Sequence, residues 1–269
     1  MKIALQLYSI RDAVNGENVN EIFASLAAMG YQGVELAGLY GMSAEEIKAA
    51  ADAAGLAVVS AHIPYTELIG NGEEWIANLK TLDCPQAVIP HMQVCNLPGG
   101  ENWEKIEGEI RELAKTLREN GILLAYHNHD FEFEKVGDEY KLDMLYTIFD
   151  ESELKTQIDT CWVNVGGVNP TDYVKKYAGR APTVHLKDFT GVKNGCPYAL
   201  IGVEGGPTDQ GTFEFRPCGS GVQDFASIIG AANEAGADWC IVEQDSPSMG
   251  KSSLECVEMS INYLKGLVK

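Results

Sequence analysis

Short β-rich runs and longer helical patterns alternate eight times along this chain, and that alternation restricts the fold more than any other feature of the sequence. The run IALQLY (3–8) precedes a helical pattern over 18–29 closed by Gly30, and GVEL (33–36) precedes SAEEIKAAADAA, closed by Gly55. Ser43 and Glu46 have the spacing of a capping box, and each closing glycine is a helix stop signal. LAVVSAH (56–62) is followed by EEWIANLKTL, QAVIPH (86–91) by the long ENWEKIEGEIRELAKTLREN, ILLAYH (122–127) by KLDMLYTIF, and LKTQID (154–159) by TDYVKKYA. PTVHLKD (182–188) leads into a Gly-rich excursion and the helix QDFASIIGAANEA; ADWCIVEQD (237–245) leads into a last helix from Ser252 to about Leu267.

Strands apolar on both faces and separated by helices belong to parallel sheets covered on both sides. Eight such units in 269 residues predict an α/β protein, a (β/α)8 TIM barrel, as one domain over 1–269. An open doubly wound sheet would ordinarily carry a Gly-rich phosphate loop after its first strand, and LYSIRD stands there instead. The stretch 189–221 is expected to be an insertion over the C-terminal face.

In such barrels the chemistry sits where the strands end. The second strand closes on Glu35, the third on His62, the fourth on His91, the fifth on His127 and His129, the sixth on Asp159, the seventh on His185 with Lys187, and the eighth on Glu243. All five histidines of the protein fall at strand ends. One histidine there is most simply a packed structural residue. Five, with three carboxylates at matching positions, crowd like charges that need a cation or shared protons. Imidazoles and carboxylates without thiols suit one divalent metal, Mn2+ first and Mg2+, Co2+ or Zn2+ as alternatives.

The net charge of −19 opposes nucleic acid and anionic membrane surfaces as partners. Seven scattered cysteines with no C-x-x-C pair read as reduced thiols. The start MKIALQLYSIRD lacks the pattern of a signal peptide, and no apolar run approaches the roughly 20 residues of a membrane span, so a cytoplasmic protein is expected.

LQLYSIRD, GVELAG, HNHDFEF, QIDTCW, VHLKD and the ending GSGVQDF...ADWCIVEQD together resemble the xylose isomerase-like barrels of the sugar phosphate isomerase/epimerase family, over essentially the whole chain. That family also includes inosose dehydratase and, more distantly, endonuclease IV; the acidic charge speaks against the nuclease branch. The resemblance implies a divalent metal held by Asp159, His185 and Glu243 with a fourth ligand from strand five. Where many members read Glu-Asn-His, this chain reads His127-Asn128-His129, so the fourth ligand is either His127 or Glu132 reaching back from the next turn. The hardness of an oxygen-rich site favours Glu132, which would free His127 for proton transfer; if His127 binds instead, Glu132 becomes the candidate base.

The implied substrate is a small sugar or keto-sugar. His127, Glu243 and Lys187 are the expected catalytic groups; Tyr8, Glu35, His62, His91, His129, Trp162 and Lys187 are expected to contact substrate, the aromatic rings by packing against it. Trp162 stands where relatives often carry His, which suggests a dehydrated wall. The expected reaction is isomerisation or epimerisation through an enediolate, with elimination by a lyase or dehydratase as the alternative and a noncatalytic sugar-binding or accessory subunit as a second. A homo-oligomer is a further expectation.

Overall fold

A computed structural model of the protein describes residues 1–194, 200 and 211–268. Cys196 and much of the Gly-rich excursion lie outside the described residues; the described cysteines are all free thiols.

The eight barrel strands are β1 (Lys2–Gln6), β2 (Gly33–Ala37), β3 (Ala57–His62), β4 (Gln86–Ile89), β5 (Leu123–His127), β6 (Lys155–Asp159), β7 (Thr183–Leu186) and β8 (Trp239–Val242). Each pairs in parallel with its neighbours in the chain, and β1 pairs with both β2 and β8, so the sheet closes on itself. Closure leaves the barrel no free edge. The (β/α)8 architecture expected from the alternation is therefore the architecture found.

The helices follow from local chemistry. Ser43 Oγ accepts from the Glu46 N–H while the Glu46 carboxylate accepts from the Ser43 N–H, starting helix Ala44–Ala54, and Gly55 ends it at φ 71°. Helix Trp103–Glu119 buries Ile106, Ile110, Leu113, Ala114 and Leu117, one apolar stripe at helical spacing. Among the described residues no helix is long and apolar enough to cross a membrane.

The interior of the barrel changes character along its axis. Ala4, Val59 and Ile241 pack together near the N-terminal end. Above them sit Gln6, Glu35, Ser60, Gln157 and Thr183, buried polar groups where such barrels usually carry branched aliphatics. Between β2 and β3 the pairing jumps from Val34–Val58 to Glu35–Ser60, so Val59 is unopposed. That irregularity lets both Val59 and Ser60 serve the interior and places Ser60 Oγ 2.5 Å from Glu35 Oε2.

The two described ends of the 189–221 excursion, Asp188–Thr190 and Glu214–Arg216, pair antiparallel beyond β7. Phe189, Phe213 and Phe215 from these ends pack with Trp162 and Cys161 in an apolar cluster separate from the main core.

Candidate active site

Strand register brings the site together. Asp159 lies opposite His185 across β6 and β7, and Gln157 opposite Thr183 two residues below. His127, Asp159, His185 and Glu243 each offer a ligand atom, and these four atoms all lie within 4.8 Å of one another in buried positions. His185 Nδ1 is 3.0 Å from Glu243 Oε2, and His127 Nε2 is 3.6 Å from Asp159 Oδ2. His62, His127 and His185 form a second such group, but His62 Nε2 is engaged by Gln157 Oε1 at 2.6 Å.

The donor set fits a divalent cation. Asp159 Oδ1 accepts from the N–H groups of Cys161 and Trp162, capping helix Thr160–Val165, while its buried Oδ2 accepts no hydrogen bond among the described residues. Two carboxylates and two imidazoles match Mn2+, Zn2+ or a similar ion, and burial together with His185 keeps His127 neutral, the form that binds metal.

Glu132 is not brought into this group. Its Oε1 accepts from the Tyr126 hydroxyl at 2.6 Å and its Oε2 from the His129 N–H at 2.8 Å, so both oxygens face the turn that follows β5. Burial raises its pKa to about 8. Of the two candidates for the fourth ligand, the structure brings His127 into the group, while Glu132, in the 3-10 turn Phe131–Phe133, bonds to Tyr126 and the His129 N–H instead. Glu132 does not line the cavity over the group either.

Glu35 also stands elsewhere than expected. It is fully buried and does not line the cavity; Oε1 accepts from Gln6 at 2.7 Å and lies 2.7 Å from His185 Nε2, while Oε2 accepts from Ser60 and Gln157. Burial pushes its pKa upward, but His62 and His185 outweigh that and bring it to about 2. Burial likewise disfavours a charged His185, yet Glu35 and Glu243 on its two sides push it up to about 10, so a cation bound by the cluster would have to displace that proton. Glu35 thus orients an imidazole of the cluster from beneath.

The cavity over the cluster measures about 340 Å3 and is lined by Tyr8, His62, His91, His127, His129, Lys187 and Glu243, all expected at the site, and by Asp245. Lys187 Nζ lies 2.9 Å from Glu243, 3.2 Å from Asp159 and 3.2 Å from Asp245. Burial opposes its charge, but these carboxylates hold it well above the usual lysine range. Burial also raises Glu243, and Lys187 with His185 outweighs it and keeps that carboxyl low. Asp245, pushed by burial to about 7, has one oxygen without a hydrogen-bond partner among the described residues.

Trp162 is fully buried behind the cavity, its ring stacked on Phe213 and 5.2 Å from Lys187 Nζ, so it acts as a wall for the lysine and does not line the cavity. Sequence reasoning missed Asp245 and Gln157. Glu243 and Asp245 are two apart at the end of β8, which was a usable signal; Gln157 is an uncharged amide with none.

The family model described as xylose isomerase-like TIM barrel matches residues 23–266. An inosose dehydratase of Clostridium beijerinckii is 25% identical over 90% of this chain and 87% of its own length. Among solved structures, a sugar phosphate isomerase/epimerase from Parabacteroides distasonis superposes with a TM-score of 0.76 at 20% identity, covering 98% of this chain and 97% of that one. The probable 3-DHS dehydratase AsbF from Bacillus anthracis gives 0.75 at 14% identity, covering 98% and 99%. The chain belongs to the xylose isomerase-like TIM barrel family. It is an enzyme built on that barrel.

Proposed function

We propose that the chain is a divalent-metal-dependent lyase that takes a proton from the carbon beside the carbonyl of a keto-sugar or inosose and expels the β-substituent. The observation that carries the reading is the buried set His127, Asp159, His185 and Glu243 opening onto a cavity shared with Lys187. These four residues would hold the metal, whose charge would stabilise an enediolate oxygen of the substrate.

The remaining work falls to the chain's own groups. Asp245 lines the cavity beside the Lys187 ammonium, and its basicity, raised by burial to about 7, suits it to receive the α-proton. Lys187 stays an ammonium and can donate to the departing oxygen or to charge developing on the ring. His91 and His129 give the cavity hydroxyl partners, and the Tyr8 ring gives it an apolar face.

Elimination is favoured over epimerisation by the arrangement of bases. Inverting a carbon is served by proton-transfer groups on two faces of the substrate. Here the strand-five position is an imidazole within the ligand set, and Glu243 and Asp245 both come from the end of β8. Dehydratase relatives covering 90% of the chain support the same outcome.

The test is incubation with ketoses, inososes and 3-keto-glycosides in D2O with Mn2+, followed by NMR and ultraviolet absorbance. An enone product is expected. Deuterium uptake without loss of the substituent would replace the lyase by an isomerase or epimerase, and no exchange with any of these carbonyl compounds would overturn the proton-transfer reading.

A further inference from the structure

A second cavity of about 300 Å3 adjoins the first and shares Tyr8 and Asp245 with it. Its other described walls come from Arg11 after β1, from Leu200, Glu214 and Phe215 of the excursion, and from the segment that starts at Ser246 after β8. The Tyr8 ring stands as a common wall. Arg11 holds it there, the guanidinium 3.8 Å above the ring and donating to the Tyr8 carbonyl at 2.7 Å. Phe215 joins the two cavities from the opposite side, since Lys187 Nζ lies 5.7 Å from its ring.

Each cavity alone is at the lower end of the roughly 300–1,000 Å3 typical of small-molecule sites, so together they suit a ligand of two joined units. The outer one is chemically selective. Its described lining carries two carboxylates, Glu214 and Asp245, and one guanidinium, Arg11. Arg216 lies 2.9 Å from Glu214 and Lys187 3.2 Å from Asp245, so the charges around the cavity are mixed in sign, and among the described residues Arg11 is the one cation lining it, short of the cluster that a phosphate calls for. What the lining offers a ligand is hydrogen-bonding groups beside the aromatic side chains of Tyr8 and Phe215, the combination that suits a neutral polyhydroxylated ring.

We infer that the outer cavity is a binding subsite for a neutral sugar unit, so that the substrate is a glycoside whose reacting ring sits over His127 and Lys187 and whose second ring sits against Arg11, Phe215 and Ser246. The inference rests on the reading of the inner cavity as a sugar site, but it is tested by binding alone. The whole protein, supplied with Mn2+, is titrated calorimetrically with cellobiose, maltose and trehalose, and separately with methyl glucoside and glucose 6-phosphate.

At least one disaccharide is expected to bind about tenfold more tightly than methyl glucoside. Ser246 is exposed, and S246W, which fills the outer cavity, is expected to bring that ratio close to one. Equal binding of mono- and disaccharides by the unaltered protein, no binding of any disaccharide, tighter binding of glucose 6-phosphate, or a ratio untouched by S246W would each overturn the subsite. Failure of the D2O exchange with the disaccharide preference intact would instead overturn the lyase reading and leave the subsite standing.

Discussion

Replacing Glu132 with Gln tests the site at the position where sequence and structure part. The carboxyl is fully buried, accepts from Tyr126 and the His129 N–H, and burial raises its pKa from an ordinary 4.5 to about 8. A group whose pKa is raised on folding adds stability that is complete below the unfolded value and is lost as pH rises through the folded value. Between pH 4.5 and 8 the folded carboxyl stays protonated while the unfolded one ionises, at about 1.36 kcal/mol per pH unit, so roughly 4–5 kcal/mol is lost across that window. The amide of the variant mimics the protonated acid and has nothing to titrate. Urea unfolding of both proteins from pH 5 to 8.5 should therefore show E132Q gaining steadily on the parent protein, by several kcal/mol in all. A difference that stays flat across this range would mean that the carboxylate is ionised in the folded protein. Mn2+ affinity measured on the same samples should be unchanged, and its loss would return Glu132 to the metal.

Two further substitutions separate structure from metal binding. D159A removes both the cap of helix Thr160–Val165 and a ligand, so it should lose about 1 kcal/mol of stability as well as Mn2+ binding, whereas D159N keeps an acceptor for Cys161 and Trp162 and should lose mainly the metal; equal Mn2+ affinity in D159N and the parent by calorimetry would remove Asp159 from the ligand set. E35Q takes away the charge beneath His185 and should weaken Mn2+ binding about 10–100-fold without removing a ligand, and an unchanged dissociation constant would show that Glu35 does not orient the imidazole.

The barrel was legible because its signals are local and repeated. Short apolar runs mark each unit, capping boxes and closing glycines mark several, and the groups at the strand ends follow from knowing where strands stop. Elements without such marks were missed. The helix Thr160–Val165 starts directly on Asp159, with no loop between strand and helix, and the short helix Tyr65–Gly70 precedes the expected EEWIANLKTL helix with no apolar stripe of its own. The hairpin Lys135–Val136 with Glu139–Tyr140 turns on Gly137 and Asp138, a turn signal that was available. Side-chain direction was harder than position. Glu35 was expected to close its strand, but β2 runs on to Ala37, and Gln6, Ser60 and Gln157 surround the carboxylate with donors and hold it below the cavity. Where the Glu132 carboxylate points is decided by the fold of a three-residue turn, which the spacing of residues does not reveal.

Crystals grown with Mn2+ and measured at the manganese absorption edge test the central assignment most directly. A single anomalous peak bonded to His127, Asp159, His185 and Glu243 is the predicted result. A peak bonded to Glu132, or none among the strand-end residues of β5 to β8, would contradict it.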